Sequence, residues 1–547
     1  MDSTILIPRM EANLSTILSQ YSTIFVKSYG NNNLATPSFR GTTAHHTQVE
    51  WNGININSPM LGQIDLSQVP VSQFDGIEIL YGAAGITRTS GAFGGIINLT
   101  SSPDWTNSAN ITLAQTFGSF QSKSTDLTIA LGNNKIQSLT KLNFGAGAND
   151  FPFYNDYADS VMRLINGSYL QYGFSEDLFA KVRNSHMIIA RIWYNFSYRD
   201  IPPLNTNINP QHNETQKDKS LKSVLEYKYV ARTFNISMRS GVVDAYMQYI
   251  DDSLINAEHQ YNSFLNQFRI TYNGFSNLLI KPGIDYTYDW VNSDAYSSQK
   301  RRSVLAGFAE IIFTPSKKIT LSCIAREEVV DGLLMPFIPA IGVEYKPFAK
   351  TNVSFSGNIS RNYRYPSLND LYWDTWGNPN LLPEISYSAE GDITWNWLNH
   401  GKTFFIEAEI TGYYIFLKDM IVWSPSSTSS SIWIPENISE VLSRGIESGI
   451  NSNILIGKSS IDLNFTYNYC KSTYEKQFTP DDASIGKQLI YTPRNTANAS
   501  VRFSRNNFYF SYIFNYISRR YTGKDNLTYM PGYNMSNIFF GEKNTIE

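Results

Sequence analysis

From about Asn110 to the end of the chain, apolar and polar side chains alternate with a period of two. In Ile188 to Arg199 one face carries Ile188, Ala190, Ile192, Tyr194, Phe196 and Tyr198, and the other carries Ile189, Arg191, Trp193, Asn195, Ser197 and Arg199. Val353, Phe355, Gly357 and Ile359 alternate with Asn352, Ser354, Ser356 and Asn358, and Ile461, Leu463, Phe465 and Tyr467 with Asp462, Asn464, Thr466 and Asn468. This period predicts strands, since successive side chains of a strand point to opposite faces. The segments run for ~10 residues with one uncharged face, the length and polarity of a tilted membrane-crossing strand. Soluble strands average about half that.

The first hundred residues read differently. Met10, Leu14, Ile17, Leu18 and Tyr21 recur at helical spacing, and short strands are expected at Ile24–Val26, Ile77–Leu80 and Ile96–Leu99. Between them, Asn52-Gly53 sits inside an extended run, the preferred pair for a two-residue hairpin turn because both positions need positive φ. A compact α+β domain over residues 1–105 is therefore expected ahead of a strand domain over 106–547, with Ser101, Ser102 and Pro103 at the boundary.

Composition narrows the reading. Charged residues are 17% of the chain and aromatics 14%, with 35 Tyr and 32 Phe. No apolar run reaches the ~18 residues of a spanning helix, and mean hydropathy is −0.27. A membrane barrel reconciles the two, because half of each strand faces lipid and half faces water. The alternatives are a soluble sandwich, propeller or β-helix, but no repeat unit of 20–50 residues is visible. At ~20 residues per strand and loop the barrel would hold roughly 20 strands, too wide for side chains alone to fill. The globular N-terminal domain is the candidate filling. A net charge of −3 leaves no basic stripe for nucleic acid. Cys323 and Cys470 lie far apart with no metal-type spacing and read as isolated thiols.

The motifs then carry a resemblance. Pro37 to Gly41, Val49 to Asn57, Asp65 to Pro70, Ile77 to Gly82 and Ser90 to Leu99 form an ordered set that resembles the plug of the TonB-dependent receptors. In the strand region, Arg364 to Tyr372, Gly377 to Glu384 and Ser443 to Glu447 resemble barrel segments of the same family. The resemblance implies a transmembrane antiparallel β-barrel of 22 strands around an N-terminal plug, in the bacterial outer membrane, with fewer strands expected here. It implies active uptake of a scarce, bulky ligand such as cobalamin or a ferric siderophore, driven by the TonB–ExbB–ExbD complex. The partners it brings are outer-membrane lipid, that complex, the ligand and a surface lipoprotein; catalysis and a cofactor are not expected. Asp65 to Pro70 and Asn369 to Trp373 look most like the vitamin B12 receptors, which makes cobalamin the leading ligand. A passive porin, or an all-β adhesin or enzyme, are the rivals.

Residue by residue, the resemblance implies a charge cluster between plug and wall: Arg40 and a second plug arginine, Arg88, against Glu390 and Glu447. The alternative is wet lumen charges in no fixed pairing. Gly41, Asn52, Gly53, Gly82, Gly91, Gly94 and Gly95 are read as backbone positions where a plug turns tightly within its wall. The glycine-rich stretch lacks Gly-Lys-Ser/Thr and a following long helix, so a phosphate-cradling loop is disfavoured. Ligand contacts are expected from the apical loop Asn57, Ser58, Pro59, Met60 and Leu61, and from Trp373, Asp374 and Trp376 of an outer loop. Those tryptophans fit loop packing equally well. Asp150, Asp156 and Asp159 offer oxygen ligands for a structural calcium, or are a solvated acidic loop.

Three departures from the family pattern stand out. The chain starts within the plug pattern, without a signal peptide, TonB-contacting box or first plug strand. Ala83 replaces the usual proline, and Arg88-Thr89 stands where Tyr-Gly is usual. At the other end Gly541 to Glu547 is polar, and closing strands with a terminal aromatic are not seen. A truncated chain with an open barrel edge is the expectation.

Overall fold

The computed structural model describes residues 1, 3–106, 108–206, 213–252, 255–348, 352–399, 401–426, 429–476 and 483–542. The N-terminal part folds around the helix Leu14–Tyr21, whose first free amides are capped by Asn13 accepting from the Thr16 N–H. Strands β1 (Phe25–Ser28) and β2 (Ala35–Ser38) form a hairpin. Strands β3 (Thr47–Trp51), β4 (Ile54–Asn55), β5 (Gly76–Tyr81) and β6 (Gly95–Thr100) form a four-stranded sheet in the order β4-β3-β6-β5, with β3 and β6 parallel. Asn52 at φ 49° and Gly53 at φ 83° make the tight turn between β3 and β4. Leu14, Ile17, Leu18, Val49, Trp51, Ile54, Ile97 and Leu99 are the core of this unit.

The remaining strands form one antiparallel ring, apart from two small hairpins, Pro152–Asn155 with Ser160–Arg163 and Arg520–Tyr521 with Tyr529–Met530, in long connections. Among the described residues twenty long strands and the two-residue piece Leu333–Leu334 follow one another in sequence order, from Ala109–Phe117 to Tyr533–Glu542. Every backbone donor and acceptor of a strand in hydrocarbon must be paired, which is why strands cross membranes as rings. Among the described residues no helix is long and apolar enough to cross. The period-two reading maps directly onto the two faces. Arg191, Trp193, Asn195, Ser197 and Arg199 are buried toward the lumen, while Ile188, Ile192 and Tyr198 lie on the exposed outer face. Long connections, such as residues 148–168, 365–383 and 518–532, gather at one end, and tight turns such as 184–185 and 457–458 at the other. Long loops mark the external end of such barrels.

In strand order Tyr533–Glu542 stands next to Ala109–Phe117. That seam is the least knitted part of the ring. Among the described residues no residue-by-residue register joins the two strands. Ile111, Leu113 and Phe540 on them are 68, 68 and 78% exposed.

The N-terminal unit lies inside the ring. It bonds to wall strands right around the circle: Asp75 to Lys141, Gln68 to Asp218, the Gly53 carbonyl to Gln267, Arg40 to Glu390 and Glu447, and the Ser22 carbonyl to Asn498. A domain touching opposite sides of a ring has nowhere else to be. Its apolar core continues into the wall through Trp193, Val224, Val243 and Leu265, with Trp51 against Trp193 at 5.6 Å between ring centroids. The last plug strand ends at Thr100 and the first wall strand begins at Ala109.

Candidate functional site: the seam between plug and wall and the outer mouth

Directly after β2, Arg40 and Gly41 adopt positive φ of 48° and 73°. This double left-handed turn swings the Arg40 side chain out of the plug and against the wall. Nη1 donates to Glu390 Oε1 at 2.7 Å, and Nε and Nη2 both donate to Glu447 Oε2 at 3.1 and 2.9 Å. The Tyr81 and Tyr413 rings lie 4.9 and 4.8 Å from the guanidinium carbon. Burial opposes the charge on Arg40, but Glu447 and Glu390 outweigh it and hold the guanidinium above its ordinary range. The backbone is gripped too: Ser443 Oγ donates to the Arg40 carbonyl and Ser472 Oγ to that of Gly41, at 3.3 Å for the latter. A Cβ on Gly41 would fall 2.7 Å from Ser472 Cβ.

Gly82 completes the cluster. At φ 51° it lies against the Glu390 carboxylate, and a Cβ there would sit 1.8 Å from Glu390 Oε1. Gly53 lies under Arg239, Gly91 against Arg364, and Gly94 and Gly95 against Phe39. Arg88 is placed elsewhere than the sequence reading put it. It pairs with Glu50 at 2.8 Å and Glu78 at 3.1 Å, both residues of the plug itself, so it braces the plug's sheet and does not reach Glu390 or Glu447.

Other seam contacts were not singled out from the sequence. His46 Nε2 lies 2.9 Å from Glu384 Oε2, and Arg364 bonds the same carboxylate. Lys141 reaches Asp75 at 2.6 Å, Arg199 reaches Asp65 at 2.7 Å, and Gln73 donates to Asn143 at 2.8 Å. The signal that could have found the wall members is the strand period, because Lys141, Arg199 and Glu384 all occupy lumen-facing positions. Their plug partners lie in irregular segments and had no such signal.

At the external end the plug apex is tied to a loop of the wall. The Leu368 and Asn369 amides, at the start of the short helix Leu368–Tyr372, donate to the Pro59 and Met60 carbonyls at 3.1 and 3.0 Å. Met60 is buried against Val291, Tyr296 and Leu368. Asn57 is used inside the apical turn, accepting from the Val49 amide and donating to the Thr47 and Gly62 carbonyls. Ser58 and Pro59 line a polar cavity of about 210 Å³ between plug and wall, and Leu61 is exposed. Asp289, Arg302 and Arg326 are on its wall side. Trp373 is 42% exposed and meets Trp423 edge-on at 5.8 Å, with Trp423 Nε1 donating to Asp370. Asp374 is exposed, its amide bonded to the Ala295 carbonyl, and Trp376 is half-buried.

The three aspartates read as calcium ligands do not converge. Asp150 pairs with Arg163 at 3.1 Å, Asp159 accepts from the Tyr154 hydroxyl, and Asp156 stands exposed. Among the described residues no group of three or more acidic, His or Cys side chains could hold a metal ion. Cys323 is exposed and Cys470 buried, both as free thiols.

With the geometry in place, comparison with known proteins decides the family: the profile described as TonB dependent receptor-like, beta-barrel matches residues 18–542. The chain belongs to the TonB-dependent receptor family. Curated relatives include the vitamin B12 transporter BtuB of Photobacterium profundum, 22% identical over 90% of this chain and 77% of that protein. The same transporter of Vibrio vulnificus is 25% identical over 98% and 81%. Among solved structures, the FrpB iron transporter of Neisseria meningitidis matches with a TM-score of 0.79, at 13% identity over 99% of this chain and 91% of that one. The siderophore receptor PirA of Acinetobacter baumannii matches with a TM-score of 0.79, at 14% identity over 100% and 92%. This receptor is thus a TonB-dependent outer-membrane β-barrel with a plug.

Proposed function

We propose that this receptor captures a corrinoid of the cobalamin kind at its external mouth and carries it inward when TonB acts on the plug. The observation that carries the reading is the main-chain tie between Pro59–Met60 of the plug and Leu368–Asn369 of the outer loop. A ligand that displaces or tightens that loop acts on the plug directly. Ligand binding shifts a plug equilibrium only through a difference in affinity between two plug states, and a shared hydrogen-bonded joint supplies one. Both curated relatives quoted above are vitamin B12 transporters, and the mouth offers amides, hydroxyls and an exposed indole to a large amide-rich ligand. A filled lumen argues for gated transport against a passive pore, and a surface lipoprotein delivering or retaining ligand at the mouth fits the same scheme.

Titration of the receptor in detergent with cyanocobalamin tests the ligand, and uptake of labelled cobalamin by cells with and without TonB tests the coupling. Saturable binding together with TonB-dependent uptake is expected. Binding of a ferric siderophore with no response to cobalamin would replace the ligand and leave the gating scheme standing. Steady ion conductance by the reconstituted receptor without TonB would remove the gating scheme.

A further inference from the structure

The lipid-facing side of the wall carries a hollow that the strand fold does not require. Gly357 pairs directly with Gly391, and Gly391 with Gly412, so three glycines lie side by side on three neighbouring strands. Directly paired residues share a face. The rung continues through Val343 on one side and Ile446 on the other, 47 and 51% exposed, which places it on the outside. The next residues along the chain, Glu390 and Tyr413, face inward to Arg40. None of the three glycines has positive φ, so no turn calls for them. A Cβ on Gly391 or Gly412 would meet nothing within 4 Å. Glycine inside a strand weakens it, and where no bulge explains it, it marks the close approach of something else. Together with Ile341, Ile359 and Tyr414 these glycines form an apolar groove of about 1040 Å³.

The groove ends upward at two cations. Arg444 and Lys471 line it and stand directly opposite each other, in the outward row of Ile359, Ala389 and Tyr414. Like charges in facing strand positions destabilise a sheet. Neither is given a carboxylate partner among the described residues, whereas the lumen arginines Arg40, Arg199 and Arg326 are all paired. One rung higher Arg361 lies over the Tyr387 ring at 6.0 Å, adding a third positive charge. From Ile456, at the short-turn end of the strand, Arg444 is a climb of roughly 30 Å at ~3.3 Å per residue and ~40° of tilt. That just exceeds the ~25 Å apolar band of such barrels, so the cations stand at headgroup level in the outer leaflet.

We infer that this groove seats a multiply acylated, phosphate-bearing lipid of the outer leaflet, one acyl chain lying over the glycine rung and a phosphate held between Arg444 and Lys471. Charge complementarity selects this occupant. A second copy of the same face, related by a two-fold axis through the groove, would add cations to cations.

Native mass spectrometry of the receptor extracted from outer membranes in mild detergent reads the bound lipid. Two variants separate the elements: Arg444→Gln with Lys471→Gln removes the charges, and Gly391→Leu fills the hollow. Heat-modifiable gel migration shows which variants are folded barrels; should Gly391→Leu not fold, Gly412→Leu takes its place. The wild type is expected to retain a phosphorylated lipid, and each folded variant to lose occupancy by roughly tenfold or more. A wild type that carries no lipid, a receptor dimer in its place, or equal retention by the folded charge variant would overturn the inference.

Discussion

Arg40 of the plug donates through both Nε and Nη2 to a single oxygen of Glu447 on the wall, at 3.1 and 2.9 Å. Both side chains are nearly sealed from solvent, at 1 and 9% exposure. Removing the Glu447 charge leaves Arg40 with Glu390 as its remaining charged partner and weakens the charge-assisted hydrogen bonds to Glu447, at a cost of about 1.5–3 kcal/mol. Glu447→Gln is therefore expected to loosen the plug far more than it disturbs the wall. Hydrogen exchange should rise over residues 35–46 while the barrel strands remain protected. Unchanged exchange there would show that the backbone grip of Ser443 and Ser472 suffices alone.

Gly82→Ala tests the same cluster from the other side. The new methyl would collide with the Glu390 carboxylate, which Arg40 holds in place, and the position also lies in the left-handed region at φ 51°. The left-handed conformation by itself costs a residue with a Cβ roughly 1–2 kcal/mol. Urea titration of plug unfolding should show a loss above that figure. Combining Gly82→Ala with Glu390→Ala should recover the part due to the collision.

How much of this was legible beforehand divides along physical lines. Strand faces were readable because the period is two and the barrel has a wet side and a lipid side, so Arg191 and Arg199 fell on the lumen face without any model of the fold. The Asn52-Gly53 turn was readable because its φ requirement is local. Arg88 was misassigned, since nothing in the chain distinguishes an arginine that reaches the wall from one that turns back to Glu50 and Glu78. His46 with Glu384, and Asp75 with Lys141, join residues 338 and 66 positions apart, and such pairings exist only once the plug is seated.

Met60 should be the hinge pin of the outer mouth. It is 4% exposed against Val291, Tyr296 and Leu368, and Met60→Ala is expected to cost about 2–5 kcal/mol as a large-to-small core change. The loss should appear locally, as faster exchange of the Leu368 and Asn369 amides that donate to Pro59 and Met60. Ligand affinity should fall with it, while the Arg40 cluster stays protected. Equal acceleration throughout the plug would mean the apex is not a separate joint.

Acid should loosen the plug through His45. This residue lines the cavity beside Arg364, and burial first, then the Arg364 charge, lowers its pKa to about 4 from the ordinary 6.5. Its Nδ1 is buried without a hydrogen-bond partner. Between those two values a released plug binds more protons at His45 than a seated one. The seated state is therefore favoured in full above pH 6.5 and loses ground as pH falls toward about 4. Plug protection measured by hydrogen exchange at pH 7 and pH 5, corrected for the intrinsic rate, should drop at the lower pH around residues 44–48. In His45→Asn, which has no proton to gain, that drop should shrink. A pH response identical in the variant would place the sensitive group elsewhere on the seam.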